Sequence, residues 1–341
     1  MPRRLLSALF ILVAGAAIAE PTAPGPTLTA VRQKGTLDCG AHPGSPGFGA
    51  MDSQGVYRGL DADFCRAVAA AIFDGDANKV RWTVLNSAAR IPALQSGQVD
   101  LLSRTLTWSQ GRDTASGIVF TTPNFYDGQG FLLRKSLNVT HARDLDGATV
   151  CVTSGTTNEL NLSDWARTQK ITVQPVVFES NQETRVAYAS GRCDAYSTDA
   201  SQLAGIRTAL PNPDEHIILN DIISKEPLTP AVRKGDPQWF DIVRWTFFAL
   251  LIAEELDVTQ ANVDQMLASE NPEIRRLLGR SGDHGNFIGL DNRWAYWAIK
   301  AVGNYGEIFE RNLGQGSPLK LPRGVNALWT QGGLMFAPPI R

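Results

Sequence analysis

The sequence predicts a two-lobed α/β protein with parallel-sheet lobes, two crossing hinge strands and a helical C-terminal extension. Three observations carry this expectation. A strand–helix–strand–helix–strand order runs from residue 36 to 102, and that grammar specifies a parallel sheet. The same order recurs between 148 and 208. Two extended segments, around Tyr126–Arg134 and Ile222–Arg233, join the halves, and crossings of that kind form a hinge.

The elements follow in order. Residues 20–35 are rich in Pro, Thr, Ala and Gly and read as a leader followed by a short helix. Thr36–Gly40 is a strand. Gly59-Leu60-Asp61 opens a helix with Phe64, Val68, Ala71 and Ile72 on one face. Val80–Leu85 is a strand, Ala89–Gln95 a helix stopped by Gly97, and Val99–Leu102 a short apolar strand. In the second half Ala148–Thr153, Val173–Phe178 and Ala195–Ser197 are strands, alternating with helices Thr156–Arg167, Glu183–Ser190 and Gln202–Thr208. From Asp236 to Leu313 the chain is mainly helical, and its tail is rich in Gly and Pro. Trp239–Ala253 is strongly apolar. Asp241, Arg244 and the following Glu254-Glu255 mark it as a buried amphipathic helix and not a membrane span.

The N-terminus carries Arg3-Arg4, a short apolar run from Leu5 to Ile18, and Ala17-Ile18-Ala19. That is the pattern of a cleavable export signal, with an N-terminal anchor as the alternative. The expected division is residues 1–19 as signal peptide, 20–127 as the first part of lobe 1, 128–228 as lobe 2, and 229–341 as the return to lobe 1 plus the extension. The 341 residues carry 43% hydrophobic and 19% charged side chains and a net charge of −2. This is enough for a sizeable core, and there is no basic stripe for a nucleic acid. The four cysteines, Cys39, Cys65, Cys151 and Cys193, suit an oxidising compartment. Arithmetic allows three pairings, and four buried thiols are the alternative.

Catalytic and metal motifs are missing from the sequence. The four histidines, His42, His141, His216 and His284, lie far apart in loop-like contexts and read as surface residues. No metal and no cofactor is expected. Three loops at strand ends hold the useful chemistry, where ligands sit in open parallel sheets. Ser103–Trp108 with Arg112 offers hydroxyls and a guanidinium. Thr153–Glu159 places Thr156 and Glu159 at a capping-box spacing, and a helix N-terminus suits a carboxylate. Ser197-Thr198-Asp199 offers an anion for an ammonium group. Together they form a clamp for a free α-amino acid. The competing readings are that Arg112 pairs with Asp113 or faces solvent, that Asp199 is an ordinary N-cap with Gln202 in the box position, and that Thr156 only caps.

The chain resembles the periplasmic solute-binding proteins of general L-amino acid ABC transporters and the related glutamate/glutamine/aspartate/asparagine binders. The resemblance is carried by GLDADFCRAVAAAIF (59–73), ALQSGQVDLLSR (93–104), VCVTSGTTNELNL (150–162), GRCDAYSTDASQL (191–203) and ISKEPLTPAVRKGDPQWFDIVRWTFFALL (223–251), and it covers nearly all the mature chain. It implies a type II periplasmic binding protein fold without catalysis, periplasmic localisation, an L-amino acid ligand, a membrane-embedded permease as partner, and a monomer. Arg112 would bind the α-carboxylate, helped by Thr107, the backbone at Thr105, and Thr156. Asp199 would bind the α-ammonium. Phe48 would wall the side-chain pocket, with Trp108 as a further candidate. The family's paired cysteines match Cys39 with Cys65 and Cys151 with Cys193. Thr105-Leu106-Thr107-Trp108 stands where the family usually has Asn-Thr-Thr-Trp, which leaves the preferred side chain open. A narrower acid-and-amide binder is the first alternative. The second is an exported dehydratase-like enzyme, which the clamp loops oppose because they offer no general acid or base.

Overall fold

The computed structural model describes residues 22–341; the expected signal peptide lies outside them. Helix α1 (Pro26–Lys34) leads into strand β1 (Leu37–Ala41) and a short hairpin, β2 (Ala50–Met51) with β3 (Tyr57–Arg58). Then come α2 (Leu60–Ile72), β4 (Val80–Val84), α3 (Arg90–Gln95), β5 (Leu101–Leu102), α4 (Gln110–Ala115) and β6 (Ile118–Phe120). Strand β7 (Phe125–Asp127) crosses to β8 (Gln129–Arg134), β9 (Thr149–Thr153), α5 (Thr157–Gln169), β10 (Gln174–Phe178), α6 (Asn181–Ala189), β11 (Ala195–Asp199), α7 (Ala200–Thr208) and β12 (His216–Ile218). Strand β13 (Glu226–Leu228) returns to β14 (Ala231–Arg233), followed by α8 (Pro237–Glu255), α9 (Val263–Met266), α10 (Pro272–Leu277), α11 (Trp294–Val302) and α12 (Tyr305–Asn312).

Two five-stranded sheets result, in the orders β4-β1-β5-β14-β6 and β10-β9-β11-β8-β12. The three strands of each predicted β-α-β-α-β run are parallel. Each sheet as a whole is mixed, with antiparallel neighbours added beside the expected parallel strands. β14 pairs antiparallel with β5 and β6, and β8 pairs antiparallel with β11 and β12. Each crossing brings the chain into the next sheet in the reverse direction. Part of the expected linker, Ala231–Arg233, is therefore a sheet strand.

The central strands of each sheet are buried on both faces, so their alternate residues serve different cores. In the second sheet Phe131, Leu133, Val150, Val152 and Ala195 pack on one face. Leu132, Cys151 and Tyr196 pack on the other, with Tyr188 and Leu203. In the first sheet Cys39, Leu101 and Val232 face the largest core, while Leu102, Ile118, Phe120 and Ala231 face a smaller one. The largest core also takes Leu28, Phe64, Trp239, Phe247, Ile299 and Phe309, so the C-terminal helices share it with α2 and the first sheet. Trp239 of α8 is buried and donates to the Asp100 carbonyl at 2.9 Å. Among the described residues no helix is long and apolar enough to cross a membrane. Cys39 is bonded to Cys65, tying β1 to α2, and Cys151 to Cys193, tying β9 to the turn before β11.

The crossings β7 and β13 pair antiparallel, with Asp127 opposite Glu226, Tyr126 opposite Pro227 and Phe125 opposite Leu228. This two-stranded ribbon connects the two sheets.

Candidate binding site

The loop after β5 is fixed from below by one carboxylate. Gly59 takes φ +129°, and a Cβ there would sit 2.1 Å from the Phe48 carbonyl oxygen, so only glycine lets α2 start so close to that loop. The start of α2 then buries Asp61. Asp61 accepts from the Ser103 hydroxyl at 2.9 Å, the Thr105 N–H at 2.8 Å and the Asn124 amide at 3.0 Å. Burial raises its carboxyl above the usual range, and these hydrogen bonds oppose the rise. The anchorage holds Thr105 at φ +43°, a strained conformation for a β-branched residue.

Two helix starts face this loop. Thr156 caps α5: its hydroxyl accepts from the Glu159 N–H at 3.3 Å and donates to the Thr153 carbonyl at 2.7 Å. Glu159 reaches back to the Gly155 N–H at 3.2 Å. Gly155, at φ +70°, lets the backbone pass close to Ala88, which a Cβ would approach to 3.1 Å. Helix α7 begins differently. Asp199 occupies the N-cap position without capping. The role passes to Asp127 of β7, which accepts from the Ser201 N–H at 3.4 Å and from the Ser201 hydroxyl. Asp199 is thus left for the cleft, oriented by the Asn158 amide at 2.9 Å and the Gln202 amide at 3.1 Å. It is buried, and its pKa is pushed well above the usual carboxylate value by desolvation and by the nearby Asp127 and Glu226 charges.

The opposing wall is cationic. Half-buried Arg112 donates to the Thr107 carbonyl at 3.0 Å and, across the cleft, to the Gly155 carbonyl at 3.5 Å. Arg90 and Arg104 are both buried. Arg104 donates to the Leu85 carbonyl at 2.7 Å, and burial pulls its pKa down to about 9. Arg90 donates to the Thr105 carbonyl at 3.2 Å, while its Nε has no partner. His42 sits among them, and burial plus these two guanidiniums hold its imidazole in the neutral form. Its Nδ1 accepts from the Gly44 N–H at 3.0 Å.

Thr105, Thr107, Thr156 and Asp199 therefore line one small polar cleft, with His42, Ser87, Arg90, Arg104, Thr157 and Asn158. Arg112 stands at its rim through Thr107. The remaining expectations change. The Thr105 N–H already belongs to Asp61, so its backbone has no donor for a ligand. The Thr107 hydroxyl donates to Glu226 at 2.5 Å, so toward a ligand it acts as an acceptor. Phe48 does not wall the pocket. It is 1% exposed and packs edge-on against Phe125, with ring centroids 5.2 Å apart. Trp108 stacks at 6.0 Å on Phe120 and is 39% exposed, away from the cleft lining. Arg112 neither pairs with Asp113 nor faces open solvent. Two histidines leave the surface: His42 lines the cleft, and buried His216 meets the Tyr188 hydroxyl at 2.6 Å.

Sequence reasoning missed His42, Arg90, Asn158 and Glu226. His42 follows the end of β1, so the strand-end rule that selected the other loops also selects this one. Asn158 lay inside a motif read only as a helix start.

The comparisons agree with this architecture. The chain is 55% identical over its whole length to a general L-amino acid-binding periplasmic protein, AapJ, of Rhizobium johnstonii, covering 100% of that protein. It is 52% identical to the glutamate/glutamine/aspartate/asparagine-binding protein BztA of Rhodobacter capsulatus, covering 98% of this chain and 99% of that one. Both relatives are named as binding proteins. A periplasmic binding protein from Brucella ovis, solved with glutathione bound, superposes with a TM-score of 0.91 at 52% identity, covering 93% of this chain and 100% of that one. The model of the bacterial extracellular solute-binding proteins, family 3, matches residues 37–261, and the chain belongs to that family.

Proposed function

We propose that this protein captures free L-amino acids in the periplasm, between its two lobes, and delivers them to an ABC permease. The observation that carries the reading is the release of Asp199 from its capping duty. A buried carboxylate held by two amides, facing a cleft whose other side holds Arg112, is suited to an α-ammonium group. Arg112 and the first turn of α5 take the α-carboxylate, and the charge-assisted contacts are stronger than neutral ones. Residues 1–19 direct export and are then removed, and the chain acts as a monomer. Arg90, with its unpartnered Nε in the cleft wall, favours side chains that bring an acid or amide, the preference in the name of the Rhodobacter relative.

The test is calorimetric titration of the exported chain, stripped of co-purified ligand, with the standard L-amino acids. Binding to many supports the broad reading. Binding confined to Glu, Gln, Asp and Asn makes the narrower one correct, and binding to none removes the clamp.

A second reading rests on a groove that continues from the cleft past His42, Asn181 and Gln202. It is lined by Pro43–Pro46 on one side and by Gln182, Arg185 and Ile206 on the other. The buried Ser45 hydroxyl there has no partner. Such a groove accommodates a ligand longer than a free amino acid, and the Brucella relative was solved with glutathione. Glutathione belongs in the same titration, and tighter binding than L-glutamate would favour this reading.

A further inference from the structure

Glu226 gathers three parts of the chain onto one carboxylate. It starts β13, so it belongs to the hinge ribbon. It is 1% exposed. One oxygen, Oε2, accepts from the Thr107 hydroxyl at 2.5 Å and the Thr157 hydroxyl at 2.8 Å. Thr107 follows β5 in the first sheet's half, and Thr157 opens α5 in the second. The other oxygen, Oε1, accepts from the Asn161 amide at 2.7 Å and the Ser224 hydroxyl at 2.6 Å. The two threonine oxygens lie 3.3 Å apart. The loop bearing Thr107 is stitched to the same return strand, with the Trp108 N–H donating to the Pro227 carbonyl and the Thr229 N–H to the Leu106 carbonyl, both at 2.9 Å.

We infer that Glu226 is a positioning residue that latches the two lobes in the closed form and fixes the hydroxyl polarity of Thr107 and Thr157. The inference rests on the two-lobed capture reading but not on which ligand is captured. Opening the cleft separates Thr107 from Thr157, and one oxygen cannot then hold both. A buried carboxylate that loses a donor incurs the cost of an unmade, charge-assisted hydrogen bond, so the closed form is favoured. Each hydroxyl carries a single proton. With both protons given to Glu226, these two oxygens face the cleft as acceptors, which leaves the α-carboxylate to Arg112 and the backbone N–H groups of α5. Asp127, opposite Glu226 on the ribbon, already serves α7, so Glu226 is the acid left to bridge the lobes.

The test measures lobe separation and binding separately. All four cysteines are in disulfides. Cysteines introduced at exposed Gln54 and Glu179, both outside the cleft and groove lining, can therefore carry spin labels without competition, and pulsed electron resonance reports the distance between them. In ligand-free protein, Glu226→Gln and Thr157→Val should both shift the distribution toward longer distances than wild type. L-glutamate should dissociate about 10- to 100-fold faster from both variants, with melting temperatures close to wild type. The double variant Glu226→Gln/Thr107→Val should lose little more than Glu226→Gln alone. Unchanged distances and dissociation rates in a folded Thr157→Val protein would overturn the latch, as would full additivity in the double variant. If wild type binds none of the standard L-amino acids, the amino-acid reading falls, while the ligand-free distances still decide the latch.

Discussion

Asn326 holds both backbone groups of Tyr126. Its Oδ1 accepts from the Tyr126 N–H at 2.6 Å, and its Nδ2 donates to the Tyr126 carbonyl at 3.0 Å. Tyr126 is the middle residue of hinge strand β7, and its partner across the ribbon, Pro227, has no N–H to offer. The buried Asn326 side chain thus stands in for a third strand. It lies beyond the family match at 37–261, so the C-terminal extension reaches back to the hinge.

Asn326→Ala should lower unfolding free energy by about 2 kcal/mol, one typical contribution for each of two hydrogen bonds. Asn326→Asp keeps an acceptor for the N–H but faces the carbonyl with a second acceptor, so it should be no better than Ala. Urea unfolding checks both. An unperturbed Asn326→Ala would show that the hinge does not depend on the extension.

The two ends of the clamp should fail alike. Arg112→Ala removes a guanidinium that spans Thr107 and Gly155, and Asp199→Asn removes the buried anion. Either leaves a ligand charge unpaired inside the closed cleft, at about 3–5 kcal/mol. That corresponds to a loss of roughly two to four orders of magnitude in affinity. Calorimetry with the preferred amino acid is the check, and near-normal binding by Arg112→Ala would overturn the carboxylate assignment.

Much of this was legible before the structure, for physical reasons. Strands β1, β4 and β5, and later β9, β10 and β11, alternate with helices, two of whose starts are marked by Gly59 and Thr156, so the parallel part of each sheet is written locally. The cleft loops follow from the strand-end rule. Asp199 was ambiguous because a carboxylate before a helix is usually its cap. Only the ribbon, which brings Asp127 beside Ser201, frees it. Glu226 was invisible because a three-residue hinge strand has no periodicity, and its partners lie 119 and 69 residues away. Phe48 was misplaced because nothing local says whether an aromatic in a glycine-rich loop turns to the cleft or to Phe125.

Proton linkage follows from the acid cluster. Burial raises the Asp127 carboxyl to about 6, and burial with the Asp127 and Glu226 charges holds Asp199 well above its usual value. An arriving ammonium favours the ionised forms. Binding below about pH 6 must therefore release protons, and affinity should fall as pH drops from 7 to 5. Titration in buffers of different ionisation heat counts the protons, with more released at pH 5.5 than at pH 8. Affinity that is flat across this range would place the ammonium elsewhere.

Reduction should act on both lobes. The bridges close segments with sequence separations of 26 and 42 residues. Chain entropy assigns each about 4 kcal/mol of stability. Cys151→Ser/Cys193→Ser should lower the thermal midpoint by several degrees while leaving the Cys39–Cys65 bond intact. An unchanged midpoint would mean that the buried second lobe does not depend on its staple.

Side-chain preference turns on Arg90. Its Nη1 supports the strained Thr105 through the carbonyl at 3.2 Å, while its Nε has no partner. A substitution there has two consequences, loss of support for the loop and loss of charge in the cleft. Arg90→Lys loses the fork that supports Thr105 but keeps a cation, whereas Arg90→Met loses both. The loop effect is common to every ligand, because it acts on the α-amino acid head, and it cancels in the ratio of L-glutamate to L-leucine affinity. The charge effect does not cancel. Arg90→Met should lower that ratio by about 10- to 100-fold, in line with one charge-assisted contact. Arg90→Lys should lower it less, even if both variants bind every amino acid more weakly. An identical ratio in wild type, Lys and Met proteins would mean that Arg90 serves only the loop, and that acid and amide preference is set by the groups around His42.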